Sequence, residues 1–179
     1  MNQIQVLDKT FEVYLDAATI QTRVREMAEQ ISSDLKGERP LFLSILNGSF
    51  LFTADLIRNL TIDPEISFIK LASYKGMRST GSITTAIGLE VDLAGRDVIL
   101  LEDIVDTGNT LHQFLPHLQQ QQPRSVRIAT LLHKAEATAH PLVLDYVGFV
   151  IPNKFVVGYG LDYDGWGRQY DAIYQLAKP

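Results

Sequence analysis

Three acidic side chains lie within five positions of the chain, where they could take part in chemistry. Glu102 and Asp103 follow the apolar run 98–101, and Asp106 comes shortly after them. Carboxylates in such an arrangement can bind sugar hydroxyls or a divalent metal, or accept a proton from a substrate. Like charges this close together are unfavourable in a purely structural role. The cluster therefore indicates a functional site.

The residues that follow Asp106 are suited to bind phosphate. Thr107, Gly108, Asn109 and Thr110 lead into a run of apolar residues with helical spacing. A turn rich in glycine and hydroxyl groups at the start of a helix directs free backbone N–H groups at an anion, and the helix dipole adds to the attraction. By itself, Asp-Thr-Gly is also typical of a helix-capping turn. The combination of a buried strand, three acids, this turn and a helix favours the functional interpretation.

The sheet that must position these residues can be predicted from apolar runs and the breaks between them. Short apolar segments bounded by glycine, proline or polar residues predict strands. Helical spacing predicts helices over 19–35 and 50–60, and a third between Gly108 and Pro123. Strands that alternate with helices predict an α/β domain with a largely parallel central sheet, and ligands bind at the carboxyl ends of such strands. The predicted strands span residues 41–46, 65–73, 98–101, 125–132, 145–150 and 155–159.

Three local features of the sequence lead to further predictions. The first helix has two candidate caps, Asp16 and Thr19. Pro116 is expected to kink the third helix or to separate its first turn, because proline lacks the N–H that a helix needs. Residues 73–85 include two glycines, Gly76 and Gly81, and few apolar side chains. This composition predicts a surface loop, of a length that is often functional.

Composition limits the classes of protein to consider. The 179 residues carry 16 basic and 21 acidic side chains, a net charge of −5, and 46% of them are hydrophobic. A soluble single domain over residues 1–179 fits these values, whereas a nucleic-acid-binding protein would usually show a basic excess. The chain has no cysteine, which excludes disulfides and thiolate zinc sites. It shows no signal peptide and no apolar run of about 20 residues that could span a membrane, so a cytoplasmic location is expected.

Residues 98–111 closely resemble the phosphoribosyl-pyrophosphate signature of the type I phosphoribosyltransferases, and the pattern from Glu102 to Gly108 resembles the hypoxanthine/guanine branch of that family. Further motifs extend the resemblance from Leu41 to Arg168. It implies the type I fold, an α/β fold with a largely parallel central sheet flanked by helices and a small hood formed by terminal segments. It also implies Mg²⁺-dependent transfer of the 5-phosphoribosyl group from phosphoribosyl pyrophosphate to a 6-oxopurine in purine salvage, by a homodimer or homotetramer. Hypoxanthine is the expected base, with guanine and xanthine as alternatives.

The resemblance assigns roles to the acidic segment and the loop after it. Asp106 would be the general base that takes a proton from the purine imidazole ring. Glu102 and Asp103 would reach the ribose hydroxyls and Mg²⁺, directly or through water. The phosphoribosyl group would be bound by the loop residues Thr107, Gly108, Asn109 and Thr110.

Other positions match the family's pyrophosphate-binding residues. Asn47 and Gly48 stand in the family's first loop, which holds pyrophosphate through its backbone. Many relatives have lysine or arginine where this chain has Asn47, so an unusual peptide geometry there would matter more than the side chain. Ser73 and Tyr74 match the start of the mobile lid, and Arg168 matches a pyrophosphate-binding arginine.

A last group of positions matches the purine-binding residues. Lys134 would contact the 6-oxo group, and because an ammonium group only donates hydrogen bonds it would select a 6-oxopurine over a 6-aminopurine. Phe155 would stack on the base, and Val156 would contribute backbone groups to its edge. Asp162 would accept a hydrogen bond from the purine edge or reach a second Mg²⁺ through water. Without the resemblance, Lys134 would be expected at a solvated strand end and Phe155 in the core.

Other functions remain open at this point. A regulatory protein could keep the same fold and sense nucleotides or nucleic acid. A related enzyme could use another acceptor base, and a phosphate-accepting receiver domain could also place acids at a strand end. The four histidines match no spacing typical of zinc ligands and are expected to be ordinary surface or packing residues: His112, His117, His133 and His140.

Overall fold

The computed structural model describes residues 3–73, 83–87 and 89–177. Within these ranges the chain forms strands and helices in the order β1 (Gln3–Val6), β2 (Lys9–Leu15), α1 (Ala17–Asp34), β3 (Leu41–Leu46), α2 (Phe50–Asn59), β4 (Glu65–Ser73), β5 (Ile83–Ile87), β6 (Asp97–Val105), α3 (Asn109–Gln120), β7 (Ser125–His133), β8 (Tyr146–Val150), β9 (Val156–Val157) and β10 (Ile173–Leu176). No described helix is long and apolar enough to cross a membrane.

The larger sheet has six strands in the order β5-β4-β3-β6-β7-β8. The five strands from β4 to β8 in this order are parallel, and β5 pairs antiparallel with β4 at the edge. The prediction of an α/β fold with a largely parallel sheet is therefore confirmed. Because β3 and β7 are the two neighbours of β6, the loops that leave the carboxyl ends of these three strands start side by side.

Both faces of the sheet are covered by helices. Alternate residues of β3 show this directly, since Phe42 packs in the core shared with α1 and α2, whereas Leu41 and Leu43 pack in the core shared with α3. A strand buried on both faces appears in the sequence as a nearly continuous apolar run, which is why β3 could be predicted although it contains Ser44. Asp16 caps α1 by accepting a hydrogen bond from the Thr19 backbone N–H at 2.8 Å.

The smaller sheet has the order β1-β2-β10-β9 and brings together the two ends of the chain. It has a core of its own, which includes Ile4, Phe11, Val157 and Tyr174. This sheet is the small hood predicted from the terminal segments. Its strands β1, β2 and β10 were not predicted individually. Strand β10 pairs with β2 from the other end of the chain, so the pairing leaves no local signal in the sequence.

Two predictions about single elements were wrong, and a third was wrong in one of its two alternatives. The loop predicted up to residue 85 ends earlier, because residues 83–85 pair with β4 (Ile83 with Ser73, and Thr85 with Leu71); their β-branched side chains favour a strand. The strand predicted over 155–159 covers only β9, since the three residues from Gly158 to Gly160 have positive φ, which an extended strand cannot accommodate.

The third correction concerns Pro116, which lies inside one uninterrupted helix, α3. The first turn of that helix is not separated. Leu111 on one side of the proline and Phe114 and Leu118 around it are buried against the sheet, so the whole length of the helix is anchored although one backbone hydrogen bond is lost.

Candidate active site

The loops after β3, β6 and β7 bring most of the predicted site residues to one edge of the sheet. Asn47 and Gly48 follow β3, Asp106 follows β6, and Lys134 follows β7. The strand order makes these loops neighbours although they are far apart in sequence. The backbone of Ser73 ends β4 at the same edge of the sheet, and Tyr74 and the rest of the predicted lid lie outside the described residues.

The loop from Thr107 to Thr110 forms a small pocket of about 80 Å³ between β6 and α3. Gly108 is the helix N-cap and has φ 78°, a value that glycine adopts without strain. Within the described part of the chain, the backbone N–H groups of Thr107, Gly108 and Thr110 donate to no protein acceptor. Unpaired N–H groups at a helix N-terminus are suited to bind an anion.

Asp106 and Lys134 form an ion pair beside this pocket. The Lys134 Nζ donates to Asp106 Oδ2 at 2.6 Å. Only 8% of the Lys134 side chain is exposed, against 47% of the Asp106 side chain. The N-cap of α3 is Gly108, with no side-chain cap hydrogen bond, so Asp106 does not cap this helix. The burial of Lys134 shows that it is not a solvated strand end. Both were expected at the site, but nothing in their spacing indicated that they would bind each other.

The carboxyl groups of the neighbouring acids Glu102 and Asp103 are buried. One carboxyl oxygen of Glu102 is buried and has no hydrogen-bond partner among the described residues. Burial, followed by the charge of Asp103, raises the pKa of Glu102 well above its usual range. Burial also raises the pKa of Asp103, against the opposing effect of hydrogen bonds and of the Arg168 charge. For both carboxyl groups the effect of burial prevails, and neither forms an ion pair within the described part of the chain.

Glycine is required where the first loop meets Asp103. A side chain at Gly48 would overlap with the Asp103 carboxyl group, and a side chain at Gly160 would overlap with the Gly48 carbonyl oxygen. The peptide bond between Leu46 and Asn47 is cis. Asp103, the first loop and the segment around Gly160 therefore pack together without intervening side chains.

A chain of hydrogen bonds between buried hydroxyl groups holds the first loop in place. Ser44 Oγ lies 2.7 Å from both Ser49 Oγ and Thr53 Oγ1, and Thr53 Oγ1 donates to the Ser49 carbonyl oxygen at 2.8 Å. These bonds join β3, the loop and α2. The only sequence signal for them is one serine in an otherwise apolar strand, and this was missed.

Asp162 and Arg168 are brought together by a tight turn. Arg168 Nη2 lies 2.6 Å from Asp162 Oδ1, and Arg168 Nη1 donates to the Gly160 carbonyl oxygen at 2.6 Å. Asp164 and Gly165 have positive φ, as in the two-residue turns that fit a twisted hairpin. Asp162 also accepts from the Gly165 backbone N–H, so it serves as a turn residue as well as lying near the site.

Phe155 and Val156 lie in the hood. Phe155 is 46% exposed. Its ring packs edge-on with Tyr163 at a centroid distance of 5.7 Å and lies 6.1 Å from the Phe11 ring. Val156 is buried in β9. Phe155 thus presents an apolar surface that two aromatic rings hold in place.

A second hydrogen-bond network, which the sequence did not reveal, holds the segment between β9 and the turn at Asp164 and Gly165. Tyr159 donates to Asp55 Oδ2 at 2.7 Å, and Gln21 Nε2 donates to the same oxygen at 2.5 Å. Burial and the Asp55 hydrogen bond raise the pKa of Tyr159 well above its usual range. The network joins α1, α2 and the segment after β9, which are distant in sequence.

Oxygen ligands for a magnesium ion could come from Glu102, Asp103 and Asp162. Among the residues described, no group of three or more histidine, cysteine or acidic side chains is placed to bind a metal on its own. Mg²⁺ usually keeps several waters and needs only one or two carboxylates together with substrate phosphates. The unpaired carboxyl oxygen of Glu102 fits such a partly protein-bound ion.

Comparison with known proteins identifies the class to which this fold and site belong. A profile of the phosphoribosyl transferase domain matches residues 12–164, and the chain belongs to this family. Within the family it is similar to the hypoxanthine-guanine-xanthine phosphoribosyltransferase of Tritrichomonas foetus, with 34% identity over 174 residues, 97% of this chain and 95% of the relative.

Other relatives are of the same type. The hypoxanthine phosphoribosyltransferase of Buchnera aphidicola is 40% identical over 157 residues, 86% of this chain and 89% of the relative. Among solved structures, a hypoxanthine-guanine phosphoribosyltransferase of Bacillus anthracis superposes with a TM-score of 0.87 at 36% identity, covering 93% of this chain and 98% of that one. The resemblance predicted from the sequence, and with it the type I fold, is therefore confirmed.

Proposed function

We propose that this protein transfers the 5-phosphoribosyl group from phosphoribosyl pyrophosphate to a 6-oxopurine, giving a nucleoside monophosphate and pyrophosphate in purine salvage. The observation that carries the proposal is the buried Lys134 ammonium paired with Asp106 beside an anion-binding loop. An ammonium donor selects an oxo group, and a carboxylate next to it can accept a ring proton.

The reaction breaks the bond from ribose C1′ to a pyrophosphate oxygen and forms a bond from C1′ to a purine ring nitrogen. The proton of the purine imidazole ring leaves to the Asp106 carboxylate. Lys134, which neutralises Asp106 at 2.6 Å without substrate, would donate to the purine 6-oxo oxygen instead. That exchange of hydrogen bonds frees the Asp106 carboxylate to act as the base.

The anionic parts of the substrate fit the loops around this pair. The free N–H groups between Thr107 and Thr110 would bind the phosphate of the ribose. Asn47 and Gly48 would bind pyrophosphate through their backbone, together with Arg168. Arg168 is already held in place by the Gly160 carbonyl oxygen and Asp162, so little of its freedom would be lost on binding.

The purine would lie against the exposed face of Phe155, with the Val156 backbone and Asp162 at its edge. Glu102 and Asp103 would hold the ribose hydroxyls and a magnesium ion, and Asp162 would reach a second ion through water. Magnesium, when bound, would neutralise the charge that develops on the departing pyrophosphate. Chelation by excess EDTA is expected to abolish turnover, and full activity in EDTA would contradict the metal assignment.

Ser73 and Tyr74, with the residues up to Gly81, would form a lid that keeps water from the cation-like sugar. Tyr74→Ala is expected to lower turnover without changing the melting temperature. Proteolysis between residues 74 and 81 is expected to slow when both substrate sites are filled. Equal cleavage with and without ligands, together with normal turnover of the variant, would contradict the lid.

The activity is tested by incubating the protein with phosphoribosyl pyrophosphate, Mg²⁺ and one base at a time, and measuring pyrophosphate release. We expect release with hypoxanthine, and the same assay ranks guanine and xanthine. Adenine and the pyrimidines are the matched controls and should give none. No release with any 6-oxopurine would refute the proposed function, and equal release with adenine would refute the selective role of Lys134.

We also propose that residues 1–179 act as one domain that assembles as a homodimer or homotetramer in the cytoplasm, with no nucleic acid or membrane as partner. Ile66 and Phe68 are about two-fifths exposed and lie on the sheet face of Phe42 and Ser44, beside α2. Exposed large apolar side chains in a row favour a protein interface. Light scattering should show that Phe68→Glu lowers the mass of the assembly, to that of a monomer if wild type is a dimer. Val143→Glu is the control, because Val143 is also exposed, and it should keep the wild-type mass.

A further inference from the structure

A short segment after Lys134 lies against the loop between β6 and α3, which we call the phosphate loop, and contacts four consecutive residues there, from Asp106 to Asn109. Thr138 Oγ1 donates to the Asp106 carbonyl oxygen at 3.0 Å, and the Ala139 backbone N–H donates to the Thr107 carbonyl oxygen at 2.9 Å. Leu142 packs against Gly108 so closely that any side chain there would meet it. We call residues 138–142 the brace.

The brace contacts the fourth of these residues, Asn109, through a side chain. His140 Nε2 lies 2.5 Å from Asn109 Oδ1. The ring of His140 also stacks on His112, in the first half of α3, with centroids 4.1 Å apart and planes only 3° from parallel. His140 is therefore fixed by two contacts, and both connect the brace to the start of α3.

The hydrogen bond to His140 determines which end of the Asn109 carboxamide remains available. An amide has an oxygen that only accepts hydrogen bonds and an NH₂ group that only donates them. When His140 Nε2–H donates to the oxygen, the NH₂ group stays free to donate to another ligand. A phosphate needs donors and is repelled by an amide oxygen, so this orientation is the one that supports anion binding.

We propose that His140 is a positioning residue for the phosphoribosyl substrate, because it holds the Asn109 carboxamide with its NH₂ group available to the phosphate. The proposal rests on the proposed function in one respect, the assignment of the loop from Thr107 to Thr110 to phosphate. His140 would act through Asn109 and would not itself contact the reacting carbon or the base. Its effect is on the binding of the phosphate end of the substrate.

The kinetic test compares three variants. His140→Ala should raise the KM for phosphoribosyl pyrophosphate by about two- to tenfold, the loss that one hydrogen bond typically brings. The KM for hypoxanthine, the kcat at saturation and the melting temperature should stay at wild-type values. His140→Gln should restore the KM, because its side-chain NH₂ can donate to Asn109. His117→Ala is the control, since His117 is on the same helix as His112 but, among the described residues, its side chain bonds to Gln113 of its own helix alone.

A binding test separates this proposal from the proposed activity. Ribose 5-phosphate is titrated into ¹⁵N-labelled protein, and the Asn109 side-chain NH₂ signals are identified with an Asn109→Asp variant. We expect these signals to shift on binding, and the Kd for ribose 5-phosphate to rise in His140→Ala but not in His117→Ala. If wild type binds this ligand but releases no pyrophosphate with any base, the proposed function fails and the role of His140 stands.

Two results would overturn the role of His140. One is an unchanged Kd for ribose 5-phosphate in His140→Ala. The other is an equal rise in the KM values for both substrates, which His140→Gln does not reverse, because that pattern would indicate a general structural defect.

Discussion

The ion pair between Asp106 and Lys134 joins two groups with very different access to water, so removing each partner should have a different effect on stability. Only 8% of the lysine side chain is exposed, against 47% of the aspartate side chain. Asp106→Ala leaves an ammonium group buried without a counter-charge. Lys134→Met leaves a carboxylate that water can reach, and methionine fills most of the space of the lysine.

The size of this difference follows from the burial of the partners. Removing one partner of a fully buried pair typically costs about 3–5 kcal/mol. Because water reaches the Asp106 side of the pair, we expect a smaller loss for Asp106→Ala, about 2–3 kcal/mol in the free energy of unfolding. For Lys134→Met we expect at most about 1 kcal/mol, as for exposed ion pairs. The double variant should regain most of the Asp106→Ala loss, since no buried charge remains.

Urea unfolding at neutral pH, followed by circular dichroism, measures these free energies. Lys154→Met is the matched control, because Lys154 is exposed, donates to Gln175 and forms no ion pair among the described residues. The stability of this variant should stay near that of wild type. The reasoning would be refuted if Lys134→Met were as destabilising as Asp106→Ala. It would also be refuted if the losses of the two single variants simply added in the double variant.

Four further predictions concern single substitutions in and around the site. Asp106→Asn should keep the fold and lose about 10²–10⁴-fold in rate, and a rate within a few-fold of wild type in the pyrophosphate assay would exclude it as the base. Gly48→Ala should lower the melting temperature by an amount equivalent to about 1–3 kcal/mol, because its methyl group overlaps with Asp103; an unchanged temperature would contradict this overlap. Tyr159→Phe should cost about 1 kcal/mol in urea unfolding, and no loss would mean that its hydroxyl bond contributes nothing. The raised pKa of Glu102 means that its favourable effect on stability is present at low pH and is lost as pH rises above the unfolded value of about 4. Glu102→Gln should therefore melt higher than wild type at pH 7 but not at pH 4, whereas an equal difference at both values would exclude titration as the cause.

The local elements of this protein could be predicted from the sequence because their signals lie between near neighbours in the chain. The apolar run of β3 predicted a buried strand, and the spacing of Leu111, Phe114 and Leu118 predicted the buried side of α3. The acids and the glycine-rich turn of the phosphate loop were found together, since one continuous segment supplies them all. Roles for single positions such as Arg168 came from the family resemblance and remain proposals.

Only the tertiary structure determined which of these residues contact each other. Lys134 reaches Asp106 because β7 lies beside β6, and Gly160 packs on Gly48 because the segment after β9 lies against the first loop. The pairing of β2 with β10 joins opposite ends of the chain, and no spacing within either segment indicates it. The partner of a polar side chain depends on which strands and loops the fold places next to each other. The brace at His140 therefore depends on the fold, since no local pattern in the sequence distinguishes that histidine from the exposed His117.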